Sequence, residues 1–154
     1  MDLLSALVFG SIVVGTDGSQ TAGEAVRQAT ELARLTGARV HVVSAYEVVG
    51  SARLREERVQ VPAELEWMVN PREDTEAALR AAADDIRDAG VDVATYARQG
   101  DPADAILDVA EEQHADVIVV GNKGMSGAKR FLLGSVPNKV SHHAPCTVMI
   151  IRTT

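Results

Sequence analysis

Short runs of β-branched residues alternate along this chain with stretches in which alanine and aliphatic side chains recur every three or four positions. The runs fall at 12–16, 39–45, 91–97, 116–120 and 147–151, and each predicts a strand. Helical spacing marks Ala22, Ala25, Val26, Ala29 and Ala33, then Leu79, Ala82, Ala83, Ile86 and Ala89, then Ala103, Ile106, Leu107 and Ala110. A fourth helix is expected after Gly134-Ser135. Punctuation agrees with the periodicity: Gly37 and Gly90 stand just past helix ends, and Asp101-Pro102 reads as an N-cap and first helical position. Five strands joined by four helical crossovers predict a single-domain, doubly wound, Rossmann-like α/β fold with a mainly parallel sheet. Residues 46–70, rich in charge and holding Pro62 and Trp67, interrupt the rhythm as one long connection.

The 154 residues fit one domain, 1–154, with residues 1–9 as an extension ahead of the first strand. Hydrophobic content of 46% with 24% charged residues suits a globular core rather than disorder. The apolar-leaning stretch 3–15 is too short to span a bilayer and lacks the basic start of a signal peptide, so no membrane association is expected. A lone cysteine, Cys146, cannot close an internal disulfide, which points to the cytoplasm.

Charge is distributed unevenly. The formal net charge of -7 argues against nucleic-acid binding, which needs a cationic surface. After Asp116 no acid occurs, while Lys123, Lys129, Arg130, Lys139 and Arg152 supply five positive charges. Three of those cations and four glycines lie in "GNKGMSGAKRFLLGS", residues 121–135. In open parallel sheets ligands bind beyond the carboxyl ends of the strands, where this segment follows the fourth strand and Gly15-Thr16-Asp17-Gly18-Ser19 follows the first. Glycines there permit close backbone approach, and a helix starting at Ser135 offers free N–H groups to an anion. A phosphate-bearing ligand is the expected guest; the plain alternative is that the glycines turn the chain and Ser135 caps a helix. The spacing is that of neither a P-loop nor a Gly-x-Gly-x-x-Gly dinucleotide loop.

The spacing Gly121, two residues, Gly124, nine residues, Gly134-Ser135 resembles the nucleotide-binding signature of the universal stress protein family. The stretch 13–19, VVGTDGS, resembles that family's first strand and loop, and the likeness runs over residues 9–152. It implies strand order 3-2-1-4-5 and ATP or a related adenine nucleotide as ligand, with cyclic AMP as the alternative. By the resemblance the binding residues are Gly15, Thr16, Asp17, Val43, Val120, Gly121, Gly124, Gly134, Ser135 and Val136. Asp17 meets the ribose or a phosphate-bound Mg2+, Val43 meets the adenine edge through its backbone, and Gly121 lies by the ribose. Gly124, Gly134, Ser135 and Val136 hold the phosphates. Local readings stand beside these, an Asx turn for Asp17 and core packing for Val43. Pro137 departs from the pattern, since it lacks the backbone N–H that many relatives have there.

No activated nucleophile is apparent, so a nucleotide-responsive binding module is the leading reading and a weakly ATP-hydrolysing or autophosphorylating protein the second. A phosphoacceptor receiver domain is set aside, because Tyr96-Ala97-Arg98-Gln99-Gly100 carries no aspartate after the third strand. His142 and His143 suit a helix C-terminus, and Cys146 suits burial. The apolar last strand, with no charge until Arg152, would be an open edge and predicts a homodimer through that strand, to which the resemblance also points.

Overall fold

A computed structural model describes residues 9–47, 71–122 and 133–153 of the chain. The strands are β1 (Ser11–Gly15), β2 (Arg39–Tyr46), β3 (Val93–Gln99), β4 (Val117–Gly121) and β5 (Thr147–Ile151). Between them run helices α1 (Gln20–Thr36), α2 (Pro71–Asp88), α3 (Pro102–Glu112) and α4 (Ser135–His143). All pairs are parallel and the order is β3-β2-β1-β4-β5, as expected.

Strand alternation divides the core in two. Ile12, Val14, Val40, Val42, Val117 and Val119 point to one face of the sheet and are covered by Ala25, Ala29 and Ala33 of α1 and Leu79, Ala83 and Ile86 of α2. Val13, Val43, Ile118 and Val120 point to the other face, under Ile106, Val109 and Ala110 of α3 and Val140 of α4. Both faces being covered explains why the central strands read as continuous apolar runs rather than alternating ones.

The helix ends match the local sequence signals. Ser19 Oγ accepts from Ala22 N at 3.2 Å to cap α1, whose far end turns at Gly37 with φ 75°. Asp101 Oδ2 accepts from Asp104 N at 3.0 Å, with Pro102 opening α3. The third strand begins two residues later than its β-branched run suggests. After α2, Gly90 takes φ 80° and Val91 N bonds back to Ile86 O at 3.2 Å, so Val91 closes the helix before the chain can join the ladder.

Candidate functional site

β1 and β4 are adjacent, while their following helices α1 and α4 lie on opposite faces of the sheet. At that switch point a cavity of about 180 Å³ opens at the carboxyl end of the sheet. Gly15, Thr16 and Asp17 form its wall after β1, Val43 comes from β2, and Val120 and Gly121 close β4. Ser135 and Val136 bring in the start of α4. Eight of the residues singled out from the sequence therefore share one cavity. Gly134 is the N-cap residue of α4, just beside it, whereas Gly124, Lys123, Lys129 and Arg130 lie outside the described residues.

The other lining residues were not among the expected binding residues. Ala45 lies two residues beyond Val43 on the same strand face, and Pro102 and Ile106 approach from the start of α3. Ser19, Thr21 and Ala22 contribute the first turn of α1, and Pro137 adjoins Val136. These are visible only once the sheet order places α1, α3 and α4 around one opening.

The loop after β1 is held by its own polar groups. Thr16 N donates to Val43 O at 2.9 Å, continuing the ladder one residue past β1, and Thr16 Oγ1 accepts from Gly18 N at 3.1 Å. Asp17 Oδ1 accepts from Ser19 N at 2.9 Å, an Asx turn that leads the chain into α1. Among the described residues Oδ2 of this exposed aspartate has no hydrogen-bond partner.

The register separates Val43 from Ala45. Alternate residues of β2 turn both N–H and C=O toward β1, and Val43 and Ala45 are consecutive members of that set. β1 ends at Gly15, directly opposite Val43, so the carbonyl of Val43 is engaged by Thr16. Ala45 is still paired on its other side in the β2–β3 register, but among the described residues nothing bonds its β1-facing N–H and C=O. A donor and an acceptor thus stand side by side at the cavity.

Helix α4 begins without a side-chain cap. Asn138 N, the first to bond within the helix, reaches Gly134 O at 3.0 Å, and Pro137 has no N–H, so Ser135 and Val136 hold the unused donors of this first turn. Asn122 ties the surroundings together. Its carbonyl accepts from Gly134 N at 3.0 Å, its N–H donates to Ile151 O at 2.8 Å, and its Oδ1 accepts from Thr153 N and Oγ1, each at 2.9 Å. The two ends of the glycine segment are therefore bonded to one another and anchored to the end of β5.

Among the described residues no group of three or more His, Cys, Asp and Glu could hold a metal by protein ligands alone, and no helix is long and apolar enough to cross a membrane. Asp17 suits the other way a protein holds Mg2+, one carboxylate completing a shell made largely of ligand phosphates and water.

Known proteins share this architecture. The chain is 32% identical over 148 residues to universal stress protein MJ0531 of Methanocaldococcus jannaschii, the match covering 94% of this chain and 83% of that one. It is similar, with a TM-score of 0.69 and 31% identity over 96% of its length and 99% of the other's, to a universal stress protein crystallised in complex with cAMP. A universal stress protein from Archaeoglobus fulgidus in complex with dAMP matches with a TM-score of 0.64 and 29% identity, covering 94% of this chain and 99% of that one. The sequence model of the universal stress protein family matches residues 9–152, and the chain belongs to that family.

Proposed function

We propose that the cavity binds an adenine nucleotide and that the protein is a cytoplasmic, nucleotide-responsive regulatory module of the stress response. The observation that carries this reading is the convergence, on one cavity, of the ends of β1, β2 and β4 and the uncapped start of α4. Val43, Ala45, Ile106 and Val120 offer an apolar slot for a planar base, where the N–H and C=O of Ala45 present a donor and an acceptor to its edge. Thr16, Asp17 and Gly121 flank the ribose position. Gly134, Ser135 and Val136, with Gly124, receive the phosphate end, helped by the positive end of the α4 dipole. When ATP is the ligand, Asp17 would help to hold a Mg2+ ion, which would supply neutralisation of the phosphate charge.

Two similar structures hold cAMP and dAMP, which supports an adenine ligand for this chain. One feature favours cyclic AMP as a second reading beside ATP: Pro137 removes the third N–H of the α4 turn, leaving two donors that suit a single phosphodiester. We further propose that two copies pair through β5, whose only strand partner among the described residues is β4 and whose Ile150 is 41% exposed.

The test is mass spectrometry of small molecules released from freshly purified, denatured protein, followed by calorimetric titration with ATP, ADP, AMP and cyclic AMP. An adenine nucleotide released, or bound with micromolar or tighter affinity, is the expected result. The absence of both would end the reading.

A further inference from the structure

We infer that Asp101 and Asp104 set how much phosphate charge the cavity accepts, by holding Lys139 in the gap between α3 and α4. This deepens the nucleotide reading and rests on it. Lys139 stands one helical turn after Ser135, about 6 Å along the axis. Side chains on a helix lean toward its N-terminus, so the lysine reaches back toward the turn whose Ser135 and Val136 line the cavity. Its ammonium is, however, already engaged. Nζ lies 2.8 Å from Asp104 Oδ1 and 3.3 Å from Asp101 Oδ2.

The clamp is built into the start of α3. Asp101 is its N-cap, with Oδ2 shared between Asp104 N and Lys139, and the next residue, Pro102, lines the cavity. The hydrogen bonds that Lys139 donates to Asp104 and then to Asp101 raise its pKa above the ordinary lysine value, so the ammonium stays charged. Among the described residues, these two carboxylates and one ammonium sum to one negative charge beside the start of α4. A highly charged triphosphate meets repulsion there and must compete with two acids for the lysine. A singly charged phosphodiester or an uncharged nucleoside meets little of either. All three side chains are between 43% and 57% exposed, so the pairs are weak enough for substitution to redistribute them.

The experiment compares the full chain with Asp104→Asn, with Asp101→Ser, which keeps an N-cap while removing the charge, and with the double variant. Binding of ATP, AMP, cyclic AMP and adenosine is measured by calorimetry without Mg2+ at low salt, and circular dichroism checks each fold. Each single change is expected to strengthen ATP binding relative to adenosine by about two- to fivefold, with cyclic AMP shifted less and the double variant shifted most. Lys139→Gln should move the ratio the other way. An unchanged ATP-to-adenosine ratio in the folded double variant overturns the inference while leaving the nucleotide reading intact. Failure of the unsubstituted protein to bind any of the four ligands overturns both.

Discussion

A Cβ placed on Gly15 would lie 2.5 Å from Cδ1 of Ile106. A side chain at the end of β1 would therefore have to displace the tip of Ile106 on α3. Gly15→Ala should push Ile106 into the base slot, weaken nucleotide binding at least tenfold and cost about 1–3 kcal/mol of stability, as overpacking does. Adding Ile106→Val, which deletes the offending methyl, should recover most of both losses. Equal affinities for parent and Gly15→Ala, measured by calorimetry, would show that the slot lies elsewhere.

Asp17 has two separable roles. Asn can accept from Ser19 N as Asp17 Oδ1 does, at 2.9 Å, so Asp17→Asn should leave the melting temperature within about 1–2 °C of the parent's. It removes the charge of an exposed carboxylate whose second oxygen has no partner among the described residues. ATP affinity should then lose most of its dependence on Mg2+. If titrations with and without Mg2+ differ as much in Asp17→Asn as in the parent, the residue only shapes its turn.

His41 gives the fold an acid-sensitive point. It is 3% exposed on the α3 face of the sheet, with Nδ1 2.9 Å from Tyr96 Oη. Burial lowers its pKa below the usual 6.5, Arg39 lowers it further and Asp92 partly opposes the shift. Below about pH 6.5 the unfolded chain therefore binds a proton at this position that the folded chain refuses, and stability falls until the lower folded pKa is reached. Urea denaturation should give a larger unfolding free energy at pH 7.5 than at pH 5.5, and His41→Gln should reduce that difference. A difference of the same size in the variant would assign the acid response to other groups.

Assembly through β5 is tested at its edge. Val148 and Ile150 share one face of the strand, opposite Ile118 and Val120 of β4, and Ile150 is exposed. Val148→Lys or Ile150→Pro should shift a dimer toward monomer in light scattering at micromolar concentration, because one adds charge and the other removes a ladder donor. A mass of 16.3 kDa for the unsubstituted protein would remove the dimer from consideration.

What the chain discloses without coordinates is whatever neighbouring residues decide among themselves. Strand runs, helical stripes, the Ser19 turn, the Asp101-Pro102 start and the Gly37 and Gly90 ends all follow from local backbone and side-chain preferences, and they place β1 and β4 to within a residue. The glycine spacing carried the family, and with it eight residues of the cavity. What only the tertiary structure decided depends on how distant segments align. The register that stops β1 opposite Val43 leaves the polar backbone of Ala45 facing the cavity, a distinction of two residues that periodicity cannot make because both lie on the same face. Ile106 beneath Gly15, Lys139 between Asp101 and Asp104, and Asn122 bonded to both Gly134 and Thr153 join positions 12 to 91 residues apart. No local preference encodes such contacts; they exist because packing two helical layers on one twisted sheet brings these distant segments side by side.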